Sequence, residues 1–411
     1  MGLLSALRGQ ASSAMKEAMT KILLSALAAR RGGGIAYVRN IVAAFPSRPD
    51  LSLSVLAHEG ECGSVPGAAN VDWIPAPRWA RLPIPRFVIG FFFFRFFWNR
   101  RRDFDVVFNC GGSFDVSLPR RARRVVTFQN MLPFDREARR RYRPGWMRLR
   151  HWLLWFVQGW AMRRADYVIF ISDHGRRVAE KLVGSRCGRA AVIRHGVERT
   201  QAPLDPEIAS RLPERFVLYL SAIEPYKTQL ELVEAWATLR QRGDRPEKLV
   251  LAGPVYPPYA RRVRDAIARH GLEHEIILLG KIRQEQVFDL AGRAVLNLFL
   301  SVCENCPVTL LELMCVGRPL LASSRQPMPE LGGAELAYVE PYDVGAIAAE
   351  IHRLLGDEGA RRRLGDAAAR RAKMFTWEQC GAATWEAVQA ALEQEAPRPA
   401  SGIGEPLAVR R

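Results

Sequence analysis

Short apolar runs alternate along the chain with longer amphipathic stretches, the pattern of strands and helices taken in turn. TKILLSALAARRGGGIAYVRNIVAAF (20–45) sets it. It reads as an apolar strand, a glycine-rich turn and a helix with its apolar stripe at Ile35, Val38, Ile41, Val42 and Phe45. That is how a doubly wound parallel sheet begins. Further strands are expected at LSLSVLAHE (51–59), FDVVFNC (104–110), ARRVVTFQN (122–130) and ADYVIFIS (165–172), with helical patterns between most of them. The pattern restarts after a loop rich in Pro and charge, TQAPLDPEIASRLPERF (200–216). FVLYLSA (216–222), KLVLAG (248–253), EIILLG (275–280), VLNLFL (295–300) and RPLLAS (318–323) are expected strands, spaced by helices such as LELVEAWATLRQR (230–242). The reading is therefore an α/β protein of two Rossmann-like domains, 19–199 and 200–376, followed by a last helix at 377–394.

A length of 411 residues calls for two cores rather than one. Residues 1–18 lie upstream of the first strand, with Met19 a sensible start, and 396–411 are rich in Pro and Gly; both are expected to be disordered extensions. No run approaches the roughly 20 apolar residues that cross a bilayer, since the nearest, Phe87 to Trp98, is broken by Arg95. ILLSALAA after Lys21 has the look of a short export signal, but a buried strand accounts for it better. Seven cysteines, an odd number without repeated close spacing, fit a reducing cytoplasm rather than a disulfide framework.

Charge changes the picture once it is located. Only 7 of the 60 basic residues are Lys, and residues 81–200 carry 26 Arg and Lys against 9 Asp and Glu, nearly the whole net charge of +18. That segment should present a positive field to an anionic partner. Within it, RFVIGFFFFRFFWNRRR (86–102) and WMRLRHWLLWFVQGWAMRR (146–164) combine bulky apolar residues with flanking Arg. The composition suits a membrane interface, and the competing reading is a pair of buried helices with solvated ends. A peripheral contact with an anionic membrane surface is expected; nucleic acid is not, because no recognised binding motif accompanies the charge.

Candidate chemistry centres on SVCENCPVTLLELMCVG (301–317). Cys303 and Cys306 make a lone CxxC without the thioredoxin-like context or the second ligand pair that redox or zinc chemistry needs, so both read as packing residues. The carboxylates read differently. Pro307 should begin a helix over 308–316, ended by Gly317, with Asn305 or Cys306 as its cap. The free amides of such a helix end make an anion site, and Glu304 and Glu312 would bracket it, a layout that suits a nucleotide sugar; from spacing alone they read equally well as ordinary helix-flanking charges.

The stretch ENCPVTLLELMCVGRPLLASSRQPMPELGG, with Glu304 and Glu312 as the ends of E-x7-E, resembles the donor-site signature of retaining glycosyltransferases of family four, the group 1 glycosyltransferases. SAIEPYKTQLELVEAW, VIRHGV, QNMLPF and RRGGGIAYVRN resemble other segments of that family, from about residue 20 to residue 390. The resemblance implies the GT-B fold: two facing Rossmann-like domains, an interdomain cleft, and a last helix that returns to the first domain. It also implies a hexose-type transfer from a nucleotide sugar donor to a glycan or lipid-linked acceptor, in polysaccharide or glycoconjugate biosynthesis. No cofactor or metal is expected. Glu304 would bind the transferred sugar and Lys227 the leaving group's charge. Glu312 would bind the ribose, and the amides of Asn305, Cys306 and Val308, faced by Gly33 and Gly34, the diphosphate. Gln129 and Asn130 would lie on the acceptor side.

Several features depart from that pattern or compete with it. Ala222 stands where family members often carry an Arg five residues before the Lys, with Arg325 and Arg194 as candidates to replace it. Gln129 stands where many carry a His. These two changes support an alternative, a non-catalytic sugar-nucleotide-binding or assembly protein of the same fold. Tyr37 occupies the third small position of a dinucleotide fingerprint and so argues against a nicotinamide oxidoreductase. The D-x-D match at Asp103 and Asp105 falls at a strand entry and reads as structural, and His195 reads as a hydrogen-bonded residue near the domain junction.

Overall fold

The computed structural model describes residues 19–29, 33–58, 70–81, 103–113, 122–184, 188–200, 202–241, 243 and 247–393. The extensions at 1–18 and 396–411, Gly32 and the basic aromatic stretch 86–102 lie outside them. Seven parallel strands form the first sheet: β1 (Thr20–Ser25), β2 (Leu51–Ala57), β3 (Val71–Pro75), β4 (Val106–Asn109), β5 (Arg123–Phe128), β6 (Tyr167–Phe170) and β7 (Arg189–Val192). Their order is β3-β2-β1-β4-β5-β6-β7. The second sheet holds β8 (Phe216–Leu220), β9 (Lys248–Ala252), β10 (Ile276–Gly280), β11 (Leu296–Phe299), β12 (Leu320–Ser323) and β13 (Ala337–Val339), in the order β10-β9-β8-β11-β12-β13. Each order reverses beside the strand that opens its sheet, so each half has a topological switch point there, where α/β proteins place ligands.

Eight helices carry the rest of the argument: α1 (Gly33–Ala43), α2 (Trp146–Arg164), α3 (Asp173–Val183), α4 (Gln229–Gln241), α5 (Val308–Val316), α6 (Val344–Gly356), α7 (Glu358–Ala372) and α8 (Trp377–Leu392). Strands buried on both faces are apolar nearly throughout, as β8 (FVLYL) and β4 (VVFN, with Asn109 at its end) are, because helices cover both sides of a parallel sheet. Each fully buried aliphatic or aromatic side chain contributes about 1.5–3 kcal/mol. The second half has two such layers, one built on Leu218, Val250 and Leu311, the other on Val217, Leu249 and Trp236.

The apolar stripe of α1 is set one residue differently from the expected one. Tyr37, Val38, Ile41 and Val42 face the sheet, while Ile35 is only half-buried. Tyr37 reaches into the sheet and shares a hydrogen bond with Thr127 Oγ1 at 3.1 Å. A hydroxyl partner lets an aromatic ring fill the place where a small residue would bring helix and strand closer.

The last helix packs on the first half. Trp385 Nε1 donates to Ile41 O at 2.9 Å, and its ring lies 4.9 Å from Phe45 and 6.3 Å from Phe108. The chain reaches α8 by passing Gly196, where an added Cβ would stand 2.1 Å from Trp377 N. A side chain there would push the two crossing segments apart. They are joined by Val197 N–H donating to Phe375 O at 3.0 Å.

Candidate active site

Lys227 sits in the turn that leaves β8 for α4. Tyr219 OH donates to Lys227 O at 2.5 Å, Thr228 takes a left-handed φ of 54° with its hydroxyl donating to Leu300 O at 2.7 Å, and Gln229 Nε2 donates to Ala222 O at 2.8 Å. The turn is held from three sides. Its ammonium is buried against the rings of Tyr226 and Phe299, at 4.9 and 5.3 Å, and donates to Glu304 Oε1. An ion pair taken this far from water is costly to break from one side only, because the remaining charge is left uncompensated.

Glu304 stands before α5, and Glu312 lies within it. Burial pushes the Glu312 carboxyl up to about 7, against the opposing effect of a hydrogen bond donated by Gln284 Nε2. Gln284 was not anticipated from the sequence; it lies in a short turn after β10, where no motif marks it.

The cap of α5 is a correction to the sequence reading. Pro307, not Asn305 or Cys306, takes the cap position, without a side-chain hydrogen bond. Asn305 is used elsewhere: its Nδ2 donates to Phe128 O at 2.8 Å and Gln129 O at 3.2 Å, and its Oδ1 accepts from Ser172 Oγ at 2.7 Å. All three partners belong to the first half, so Asn305 stitches the cleft shut beside α5. Gly175 makes room for it, since an added Cβ there would lie 2.3 Å from Asn305 Oδ1.

The first half brings its glycine turn to the same place. A Cβ on Gly33 would lie 3.2 Å from Val308 Cγ2, and one on Gly34 3.8 Å from Gln129 Oε1. Gly33, Gly34, Gln129, Asn305 and Val308 therefore meet across the cleft at the start of α5, with Asn130 the next residue on the Gln129 loop. Gln129 Nε2 is buried with no hydrogen-bond partner among the described residues. A buried donor of this kind fits a ligand oxygen.

Two further bridges cross the cleft. Arg141 Nε donates to Pro225 O at 2.6 Å and its guanidinium also pairs with Glu231, while Tyr142 OH donates to Glu224 at 2.7 Å. Both grip the turn that carries Lys227. On the other side Glu330 accepts from the Asp173 and His174 amides at the start of α3, at 2.9 and 2.8 Å, and pairs with Arg194 at 3.2 Å. Arg194 also meets Asp173, and Arg325 is taken up by Glu340 at 2.9 Å and Glu137 at 3.8 Å. Either Arg would have to exchange these partners to stand in for the one missing at Ala222.

Cys303 and Cys306 are buried free thiols, the first pushed well above its usual range and the second up to about 12, both mainly by burial. His195 lies between Tyr37 and Trp377, with ring centroids at 5.0 and 5.6 Å, and burial lowers it to about 4. Asp105 accepts from the Lys21 amide at 2.8 Å, so it ties β4 to β1. Among the described residues no group of three or more His, Cys, Asp or Glu is placed to hold a metal ion.

The description "Glycosyltransferase Family 4" matches residues 31–201, and "Glycosyl transferases group 1" matches residues 201–371. The two meet at the linker between the sheets. The chain belongs to the GT-B glycosyltransferase superfamily. Among curated relatives of this superfamily member, the serotype-specific mannosyltransferase WbdA of Escherichia coli is 30% identical over 188 residues, 46% of this chain and 23% of that protein. The O-antigen chain mannosyltransferase B of Escherichia coli is 26% identical over 226 residues, 53% of this chain and 58% of that protein. The match thus spans less than two thirds of either relative. Among solved structures, sucrose-phosphate synthase from Thermosynechococcus elongatus aligns with a TM-score of 0.70 at 18% identity, covering 90% of this chain and 98% of that one. HepE from Anabaena, solved with UDP and glucose, aligns at 0.66 and 17% identity, covering 90% and 100%. At such identities these two likenesses establish the fold alone.

Proposed function

We propose that the chain is a retaining, metal-independent hexosyltransferase of family four, acting at the cytoplasmic side of a membrane in polysaccharide or glycoconjugate assembly. Its donor is a nucleoside diphosphate sugar and its acceptor a glycan or lipid-linked glycan. One observation carries the reading: the buried Lys227–Glu304 pair lies on the donor half together with α5, whose start faces Gly33 and Gln129 of the other half. The free amides of α5 take the diphosphate. Glu312 takes the ribose hydroxyls, Glu304 the hydroxyls of the sugar, and Lys227 the charge that develops on the departing phosphate. In the resting protein Lys227 and Glu304 neutralise each other, and the donor replaces each partner with its own groups. The mannosyltransferase names of the two relatives make mannose the first sugar to try.

The test is ligand-detected binding and hydrolysis with UDP-, GDP- and ADP-sugars, for wild type and Glu312→Ala. Saturable binding of one donor, weakened by the substitution and accompanied by release of nucleoside diphosphate, is the expected result. Binding without release, persisting across a panel of lipid-linked and free glycans, supports the non-catalytic alternative that Ala222 and Gln129 suggest. Folded protein that binds no nucleotide sugar sinks both.

A further inference from the structure

Helix α2 buries His151, Gln158, Gly159, Ala161 and Met162. Its outer face carries Trp146, Leu149, Trp152, Leu153, Phe156 and Trp160, each between 42% and 55% exposed. Positions 146, 149, 153, 156 and 160 follow the three-and-four spacing that lines residues up along one side of a helix. The competing reading of a buried helix with solvated ends does not hold for α2, because its largest side chains point outward. So long an apolar stripe marks an interaction surface.

Charge says what the surface meets. The helix has no acidic residue and carries Arg148 and Arg150 near its start and Arg163 and Arg164 at its end. From Asp135 to Arg164 there are nine Arg against two acidic residues. Arg148 reaches back to Tyr142 O and Arg140 O, both at 2.7 Å, and the Arg164 guanidinium lies 5.8 Å from the Trp160 ring centre. A second copy of α2 would set Arg against Arg whether it ran parallel or antiparallel.

We propose that α2 docks flat on an anionic bilayer surface, its Trp, Leu and Phe stripe in the headgroup boundary and its arginines on lipid phosphates. Tryptophan is suited to that depth, with an apolar ring and a polar N–H. The inference goes beyond the donor chemistry and does not depend on it. It fixes which side of the acceptor half meets the membrane.

The full-length chain should be sedimented with vesicles of phosphatidylcholine alone and with about a third phosphatidylglycerol, as wild type and as Trp152→Glu with Phe156→Glu. Wild type should bind the anionic vesicles, with binding that weakens as salt rises, and the double variant should lose at least about ten-fold in affinity. Its circular dichroism and donor binding should not change. Equal binding by both proteins, or none by wild type, overturns the proposal. So does a wild-type dimer in light scattering that the variant breaks. Should the variant misfold, quenching of wild-type tryptophan by brominated phosphatidylglycerol decides instead: quenching supports docking and its absence refutes it.

Discussion

The two halves share one strand order and use it oppositely. In the second, ionisable groups are drawn inside, with Lys227 and Glu312 buried and Glu304 nearly so. At the cleft the first half offers mainly neutral groups: the glycine turn, the carbonyls of Phe128 and Gln129, and the Ser172 hydroxyl. Its arginines lie largely elsewhere, with Arg141 and Arg194 the exceptions, both spent on bridges to the second half. The difference teaches that buried charge belongs to one half, while the other supplies shape and closure and, on the proposals above, attachment.

The sharpest way to break this comparison is Lys227→Ala, which should lower kcat by about 10²–10³-fold, the scale of losing one electrostatic stabiliser of the transition state. Steady-state transfer measured against wild type checks it, and a variant with near-normal kcat would move the reactive charge elsewhere.

Glu312→Gln sharpens it from the side of stability. The folded-state carboxyl titrates near 7 rather than 4.5. Its ionisation therefore costs nothing below about pH 4.5, and the cost grows as pH rises through 7 to about 3 kcal/mol. Denaturant melts should show the variant more stable by about 2–3 kcal/mol at pH 8, a gain that vanishes at pH 4. Donor affinity of wild type should rise between pH 6 and pH 8, because ribose hydroxyls favour the ionised form, and titration calorimetry at the two pH values would reveal a flat profile if they do not.

Arg141→Ala removes a first-half grip on the Lys227 turn. It should lower kcat by about ten-fold through misplacement, with Lys227 still present, and Arg141→Lys should restore little because the forked geometry is lost. The smallest effect belongs to Cys303→Ser with Cys306→Ser, for which activity within about three-fold of wild type is expected of buried packing thiols. Loss of activity in the folded double variant would make the cysteines chemical after all.

What was legible in the sequence follows burial. Central strands such as β1, β4, β8 and β11 announce themselves by short apolar runs, interrupted at most by Asn109 in β4 and Asn297 in β11 and flanked by polar residues in β1. The strands not anticipated, β3, β7 and β13, are all sheet edges, and their residues are mostly half-buried or exposed. RAAV and VDWIP are short and show neither a clean alternation nor a longer apolar run to set them apart from loops. At the site, Glu304, Glu312 and Lys227 were legible through resemblance to a motif. The work of Asn305, Gln284 and Arg141 was not, because each makes its contact with a segment at least 28 residues away. Local spacing carries no trace of such a partner.

The meeting of Gly196 with Trp377 has a mechanical consequence. The chain passes between the halves twice, once after β7 and once before α8, and the passages lie side by side, joined by the Val197–Phe375 bond. Two tethers at one spot behave as a single door hinge: they suppress sliding and twisting and leave one swing. On such a hinge the other contacts across the cleft, Arg141 with Glu231 among them, act as a latch that holds the swing closed.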